Sequence, residues 1–468
     1  MSSSSCFFWP GGLPAVSKSL DHRGREAGQS SEGYGMRGIA ASTTADPSVA
    51  LPNLDSIIRG LLYVYVLSLP FKNLLFAERN GFIILIVLLL LWCAVNRRHF
   101  FTQTPIDIPL IAFVAWVAFT VPFAAFPLYS FKEFAKLLQQ GLIFYVVVYF
   151  FKDESHRARL MWVLVGTSLI VSGYGVLEFM KMVGILQSES KLLLLESVTS
   201  GEVWLSTYLV MVIPLCFALF IFKNSRHAQR FALGATVMAT ICLVLTFSRA
   251  GFFALLTEWS CFVWIVRRKT AVVAAALISL LIGAVTAVVI HYGLITVPGT
   301  DIPIRGGSTS SLVHRTDIWK YTLARITEHP LVGLGYGKDN FNLVNRQSRE
   351  DVRSEAELAQ GHVPILKAGT HNIFLDIAFG VGLPGLVLFV WLMQRITVQA
   401  LTQFRQSENP MTKAMMLGVG VSIIGLAVRL LFDHMLVGTI ALQFWVMVAM
   451  AIAACRAPAT LMQSSSKG

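Results

Sequence analysis

Charge is scarce in this 468-residue chain. Asp, Glu, Lys and Arg make up 14% of it, whereas a soluble domain is usually about a quarter charged. Hydrophobic residues make up 55%. Apolar runs of about 18 residues recur along most of the length, and each is long enough to cross the hydrocarbon core of a bilayer. The composition excludes an ordinary soluble globular protein and predicts an all-α polytopic membrane protein.

Cysteine is scarce as well, with six residues in the chain. Cys6 lies in the N-terminal region, the others lie in apolar runs, and no two form a CxxC pair. A disulfide framework or a cysteine-based metal site is therefore not expected.

Metal-binding patterns are also missing. The predicted non-cytoplasmic loops contain no Asp-x-Asp, no HExxH and no carboxylate cluster at ligand spacing. Asp351, Glu355 and Glu357 are typical of a solvated loop face. We therefore expect neither a metal ion nor any other cofactor.

The formal net charge is +12, which in a soluble protein would suggest nucleic-acid binding. Here the Lys and Arg residues lie in short loops between apolar runs, where they act as topology signals and contact lipid headgroups. Membrane lipids are thus the expected partners of these charges, and nucleic acid is not.

About twelve apolar spans are predicted, with a long polar stretch between the ninth and the tenth. Their approximate ranges are 54–71, 80–96, 106–124, 133–151, 160–184, 202–222, 230–247, 250–266, 271–292, 373–395, 412–431 and 434–455. The chain then divides into a tail (1–50), spans one to nine (51–292), a polar loop domain (293–372), spans ten to twelve (373–455) and a short C-terminal tail (456–468). The first tail is rich in Ser and Gly and lacks the apolar region of a signal peptide, so we expect it to be disordered.

Basic residues are concentrated in alternate loops. The basic-rich set consists of Arg97, Arg98, Lys152, Arg157, Arg159, Lys223, Arg226, Arg230, Arg267, Arg268, Lys269, Arg395, Arg405 and Lys413. By the positive-inside rule these loops and both termini are cytoplasmic, which puts the 293–372 loop on the opposite side of the membrane. A polar stretch of that length is usually functional rather than a simple connector.

The polar loop contains one helical pattern, SSLVHRTDIWKYTLARITEHP. Apolar residues recur at helical spacing, Ser311 is a suitable N-cap, and the His329-Pro330 pair ends the helix near Glu328. His314, near the start, is a secondary candidate for acid–base chemistry. The GLGYG segment that follows exposes backbone N–H groups, which is a weak signal for anion binding and more often marks only a turn.

Two residues at predicted membrane edges stand out. Arg249, in TFSRAGFFALL, lies on the non-cytoplasmic side, either as a snorkelling anchor or as the partner of an anionic ligand. His371, in GTHNIFLD, begins span ten, either as a hydrogen-bonded helix start or as a general base. Histidine can accept a proton near neutral pH, and a helix N-terminus favours the neutral imidazole. Asn372 is placed to orient His371 or to contact a substrate.

Other polar residues are weaker candidates. Lys132 and Lys136, at the start of span four, either anchor a helix or add positive charge for a phosphate or a lipid carrier. Arg429, Asp433 and His434 lie near the turn after span eleven, where we expect them to form an interhelical polar network.

Three motifs together resemble the O-antigen ligase family, within the broader group of bacterial O-antigen ligases, O-antigen polymerases and protein O-oligosaccharyltransferases. They are SRAGF (248–252), HRTDIW with HPLVGLGYG (314–319 and 329–337), and HNIFLDIAFGVGLPGL (371–386). The resemblance covers residues 230–390, and the first five spans share only the helix count.

The resemblance implies an inner-membrane glycosyltransferase that acts at the periplasmic face. Such enzymes take a glycan, here the O-antigen, from undecaprenyl diphosphate and transfer it to a hydroxyl group. For the ligase, the acceptor is the lipid A–core oligosaccharide. By the same resemblance, Arg249 and Arg315 would bind the diphosphate, and His371 would deprotonate the acceptor hydroxyl.

The chemistry of the leaving group leads to a further expectation. Negative charge develops on the diphosphate as the glycosidic bond breaks, and either a metal ion or cationic side chains must stabilise it. Arginine binds phosphate through two N–H groups and can take that role, with a contact typically worth about 3–4 kcal/mol. We therefore expect metal-independent transfer by direct displacement, which inverts the anomeric centre.

Two alternatives remain open. An O-antigen polymerase or a protein O-oligosaccharyltransferase would use the same chemistry, although one large polar loop favours the ligase because polymerases commonly have two. A lipid-linked sugar transporter would need ionisable residues near mid-membrane. Glu178 and Glu258 are the available ones and are expected near span ends, and the paired Gly/Pro breaks of discontinuous transporter helices are not predicted here.

Overall fold

Helices form all the regular secondary structure in the described part of the chain. The computed structural model describes residues 52–182, 197–199, 201–223, 225–266, 273, 310–347 and 369–455. The helices are α1 (Pro52–Ser68), α2 (Leu75–Asn96), α3 (Asp107–Thr120), α4 (Pro127–Phe150), α5 (Glu154–Met182), α6 (Glu202–Phe222), α7 (Arg226–Leu245), α8 (Arg249–Ile265), α9 (Ser310–Glu328), α10 (Asn340–Gln347), α11 (Ile373–Gln406), α12 (Pro410–Leu430) and α13 (Gly438–Ala454), with 3-10 turns at Lys72–Leu74 and Val121–Phe123.

Within these ranges, six helical segments are long and apolar enough to cross a membrane: Lys72–Asn96, Glu154–Lys181, Glu202–Phe222, Arg226–Leu245, Ile373–Gln406 and Pro410–Leu430. Shorter apolar helical segments are Asp107–Phe123 and Gly438–Ala454. The chain is thus a multi-pass α-helical membrane protein, as predicted. Predicted span nine (271–292) lies outside the described residues apart from Val273, as do both tails, so the total of twelve spans stays a prediction.

The centre of the bundle is the pairing of α6 with α12. Helix α12 also packs on α11 and α8, while α13 packs on α4. Both α6 and α13 are apolar on nearly all sides and are buried along most of their length, as expected of helices surrounded by other helices. Gly418 of α12 lets the backbones approach, because a Cβ there would lie 2.9 Å from the Leu215 Cα.

Side chains at helix starts satisfy backbone N–H groups that have no helical partner. Ser248 accepts from Gly251 N at the start of α8, and Asn409 accepts from Met411 N at 2.8 Å at the start of α12. Helix α9 begins at Ser310, one residue before the predicted cap at Ser311, and ends at Glu328 as predicted.

Helix α11 differs from the prediction in two ways. It continues through Arg395, which the charge pattern assigns to a loop, to Gln406. It is also broken, because Val381 and Gly382 have non-helical backbone angles. The rings of Phe374 and Phe389 are 6.1 Å apart, although a straight helix would separate these positions by about 22 Å. The segment 373–380 therefore folds back along the segment 383–406.

The glycine-rich loop (329–337) supplies hydrogen-bond partners for the backbone at this break. Leu334 N donates to Phe379 O and Gly335 N to Gly380 O, both at 2.8 Å, and Leu383 N donates to Pro330 O at 2.8 Å. The indole of Trp116 donates to Val381 O at 2.8 Å. Two N–H groups of the GLGYG segment are therefore already used, so the weak indication of an anion site there is not supported at Leu334 and Gly335. Their role is to satisfy the opened helix.

Replacement of Gly382 by alanine should destabilise the fold. The residue has φ +75° and its added Cβ would clash with the Leu331 carbonyl, so strain and overpacking together should cost about 2–5 kcal/mol. The measurement is thermal unfolding of the detergent-solubilised protein. Gly234→Ala is the control, because a Cβ at Gly234 meets nothing within 4 Å; equal melting temperatures for both variants would contradict the packing described.

Candidate functional site

A tight turn, Thr370 to Asn372, presents His371 at the start of the folded-back segment. The Asn372 side chain turns inward and accepts from Phe374 N and Leu375 N at 2.9 and 3.2 Å. Thr370 is buried, and its hydroxyl donates to Asp376 Oδ1 at 3.1 Å. His371 adopts φ +48°, a left-handed conformation that costs about 1 kcal/mol or more outside glycine. Its neighbours thus hold the backbone while the imidazole points outward.

The His371 ring is bound by a carboxylate from the turn between α12 and α13. His371 Nδ1 lies 3.1 Å from Asp433 Oδ1, and Asp433 Oδ2 accepts from Arg429 Nη1 at 2.8 Å. Arg429 Nη2 donates to Ser206 Oγ at 3.2 Å. The Arg429 side chain is 1% exposed, whereas that of His371 is 38% exposed. The chain of contacts therefore runs from a buried cation to an accessible imidazole.

Asp433 is the charged centre of this arrangement. Burial alone would raise the pKa of its carboxyl, but the His371 hydrogen bond and the charges of Arg429 and Arg315 hold that pKa below its ordinary value. A carboxylate only accepts hydrogen bonds, so Nδ1 of neutral His371 must carry the proton. Nε2 is then left with a free lone pair, which is the state required of a general base.

Helix α9 brings Arg315 to the same place. Trp319 lies one helical turn after Arg315, and its indole donates to Thr370 O at 3.0 Å, next to His371. Ile318 and Phe379 belong to one small buried cluster that joins α9 to α11. Arg315 is partly exposed and its charge acts on Asp433. The structure thus brings together Arg315 and His371, two of the residues singled out from the sequence.

Arg249 lies at the first position of α8, directly after the Ser248 cap, and is exposed. One turn later on the same helix face, Phe253 stacks on Phe432 with ring centroids 6.3 Å apart. Phe432 precedes Asp433 in the chain. Arg249 is therefore at the end of the bundle that carries His371.

A second histidine–carboxylate pair lies beside the first. His434 Nδ1 is 2.6 Å from Asp376 Oδ2, although the ring N–H is not aligned with the line between the atoms. The contact is therefore a close approach of the two side chains rather than an aligned hydrogen bond. Asp376, His434, Tyr336 and Gln140 line an internal cavity of about 40 Å³, which has room for a water molecule.

The remaining sequence candidates have other positions. Lys132 and Lys136 are exposed at the start of α4, and Lys136 pairs with Glu133 at 2.5 Å. Glu133 adjoins Gly337 of the glycine-rich loop, so this end of α4 borders the break in α11. His314 lies in α9, but its side chain is outside the described part of the structure.

Glu178 and Glu258, the two carboxylates that a transporter could use, have different positions in their helices. Glu178 lies near the end of α5, as expected, and accepts from Ser197 N at 2.5 Å. Glu258 was also expected near a span end, but it lies in the middle of α8, fully buried against Gly425 of α12. Neither lines the cavity beside His434.

No three His, Cys, Asp or Glu side chains come together at metal-binding distance within the described residues. The sequence-based expectation of metal-independent chemistry stays a prediction for an assay.

The interhelical polar network expected at Arg429, Asp433 and His434 is confirmed. Its connection to His371 and Asp376 was missed, because those partners are far away in the chain. The available signal was weak: a charged Asp-His pair between two apolar helices, after an arginine one turn earlier.

Comparison with known proteins supports the resemblance. Residues 234–390 match the family model described as O-antigen ligase, a range that contains Arg249, Arg315 and His371. No curated protein matches the chain. The matched range leaves out helices α1–α6, α12 and α13. Arg429 and Asp433 also lie outside it. Residues 234–390 are therefore similar to the O-antigen ligase family, which supports the resemblance carried by the three motifs.

Proposed function

We propose that this protein is an O-antigen ligase. It transfers a glycan from undecaprenyl diphosphate to a hydroxyl of the lipid A–core oligosaccharide, at the periplasmic face of the bacterial inner membrane. The family domain at 234–390 supports a lipid-linked glycan transferase, and the predicted topology puts His371 on the non-cytoplasmic side.

The observation that carries the proposal is the pairing of His371 with Asp433. Asp433 is held ionised by Arg429 and Arg315, so it fixes the proton on Nδ1 of His371 and leaves Nε2 to accept a proton. In the proposed reaction, Nε2 removes the proton of the acceptor hydroxyl as its oxygen attacks the anomeric carbon. The imidazolium that forms is then stabilised by the Asp433 carboxylate.

Arg249 and Arg315 supply the charge that the leaving group requires. The glycosidic bond breaks towards the diphosphate, which takes the bonding electron pair and leaves with additional negative charge. Guanidinium groups remain charged at any physiological pH and bind phosphate oxygens through paired N–H donors. We infer a single displacement with inversion at the anomeric carbon, assisted by these arginines without a metal ion.

A transfer assay in the presence of EDTA tests this function. Purified protein is mixed with undecaprenyl diphosphate-linked glycan and lipid A–core, and the glycosylated acceptor is quantified. We expect wild-type activity to persist with EDTA and His371→Ala to lower kcat about 10²–10⁴-fold, the usual contribution of a general base. His227→Ala, an exposed histidine at the start of α7, is the matched control and should keep full activity.

Other results of this assay would redirect the proposal. Full activity of folded His371→Ala would make His371 a structural residue and contradict its role as base. Loss of wild-type transfer on EDTA addition, restored by a divalent cation, would contradict metal independence. Elongation of the lipid-linked glycan without use of lipid A–core would identify a polymerase instead.

Substitution of the two arginines tests diphosphate binding. Arg249→Ala and Arg315→Ala should each lower kcat/KM about 10²–10³-fold, because each removes a charge that stabilises the leaving group. Lysine should restore only part of this loss, since it lacks the paired donors. The control is Arg325→Ala, on the same helix as Arg315 but paired with Glu328 at 2.7 Å; a comparable loss in that variant would indicate a general effect of removing positive charge.

A further inference from the structure

We infer that Asp376 and His434 form a positioning pair that keeps His371 in its reactive orientation. The inference rests on the proposed function, because it assigns His371 as the base. Neither residue belongs to the motif positions to which a role was assigned, and neither needs to contact a substrate in this scheme.

The two histidine–carboxylate pairs both join the region at the start of α11 to the turn after α12, in opposite directions. In the outer pair, the 370–372 turn provides the histidine and the turn after α12 provides the carboxylate: His371 and Asp433. In the inner pair the roles are exchanged, since the start of α11 provides Asp376 and the turn after α12 provides His434. Asp433 and His434 are adjacent in the chain, so the inner pair restrains the backbone that aims the Asp433 carboxylate.

Other contacts also hold Asp376 of the inner pair in place. Thr370 donates to Asp376 Oδ1 at 3.1 Å, and Thr370 O accepts from the Trp319 indole at 3.0 Å. Asp376 is in the first turn of the folded-back segment, where the helix dipole favours a negative charge. The carboxylate is 6% exposed, so it depends on His434 and Thr370 for compensation in place of water.

His371 needs this support because its own turn is strained and its ring is partly exposed. The backbone of His371 is left-handed, and its imidazole has a single described side-chain hydrogen bond, to Asp433. The orientation of the imidazole therefore depends on the location of Asp433. A displacement of about 1 Å in a reacting group can lower a rate about 10²-fold. The inner pair therefore acts on the rate through geometry.

Kinetics of His434 variants test the inference. His434→Leu should lower kcat about 10–100-fold while KM changes less than about threefold, because substrate contacts are untouched. His434→Gln keeps a polar N–H group next to Asp376 and should recover part of kcat. His227→Leu makes the same chemical change away from the site and should leave kcat unchanged. Unchanged kcat in folded His434→Leu would overturn the inference.

A double variant separates positioning from stability. His434→Leu leaves the buried Asp376 carboxylate with Thr370 but without its histidine partner and should lower the melting temperature; adding Asp376→Asn removes that charge and should restore much of the loss. We expect kcat to stay low in the double variant, since the pair then no longer holds the start of α11 against the turn after α12. Recovery of kcat together with the melting temperature would show that the pair is only structural and would overturn the inference.

His371→Ala distinguishes failure of this inference from failure of the proposed function. If His371→Ala is inactive and His434→Leu has normal kcat, the base assignment survives and the positioning role is wrong. If folded His371→Ala has normal kcat, the base assignment is wrong, and the positioning role is wrong with it.

Discussion

The backbone pairing between the broken helix α11 and the glycine-rich loop is the interaction on which the rest of the site depends. Within a bilayer or a packed bundle, an opened helix turn is tolerated only where its N–H and C=O groups find other partners. Here Leu334, Gly335 and Pro330 supply them to Phe379, Gly380 and Leu383. That pairing stabilises the fold-back that brings His371 to Asp433.

Glycine makes this exchange of hydrogen bonds sterically feasible. A Cβ at Gly380 would lie 2.7 Å from the Gly335 carbonyl oxygen, and one at Gly333 would clash with the Gly380 carbonyl. The two parts of the matched family region, GLGYG and GVGLPG, are therefore complementary surfaces of one contact. Their glycines serve close backbone approach, and the chemistry is carried by residues at the two ends of these segments.

A buried positive charge then leads, through Asp433, to the partly exposed His371. Arg429 is almost fully enclosed and is joined to Asp433 and Ser206. Such a cation is tolerated in a membrane bundle when a carboxylate accompanies it. The carboxylate in turn fixes the tautomer of His371. In the proposed mechanism, a charge pair inside the bundle orients His371 as the base, and the inner pair of Asp376 and His434 is proposed to maintain the alignment.

The sequence predicted the membrane class, most helix positions and the family, because these depend on local hydropathy and on short motifs. It also singled out His371 and Arg249 individually, and the family resemblance added Arg315. It did not predict the fold-back of α11, since Gly382 and Pro384 are compatible with either a kink or a continuous span. Nor did it predict that Asp433 binds His371, because the two residues are separated by 62 positions and the intervening chain forms two membrane helices whose packing no local pattern specifies.

A double-mutant cycle on His371 and Asp433 tests the central claim most directly. Transfer kcat is measured for wild type, His371→Ala, Asp433→Asn and the double variant, each first shown to be folded. If Asp433 acts through His371, Asp433→Asn should lower kcat in the wild type and have almost no further effect once His371 is replaced. Equal losses from Asp433→Asn on both backgrounds would show that the two residues act independently and would contradict the account.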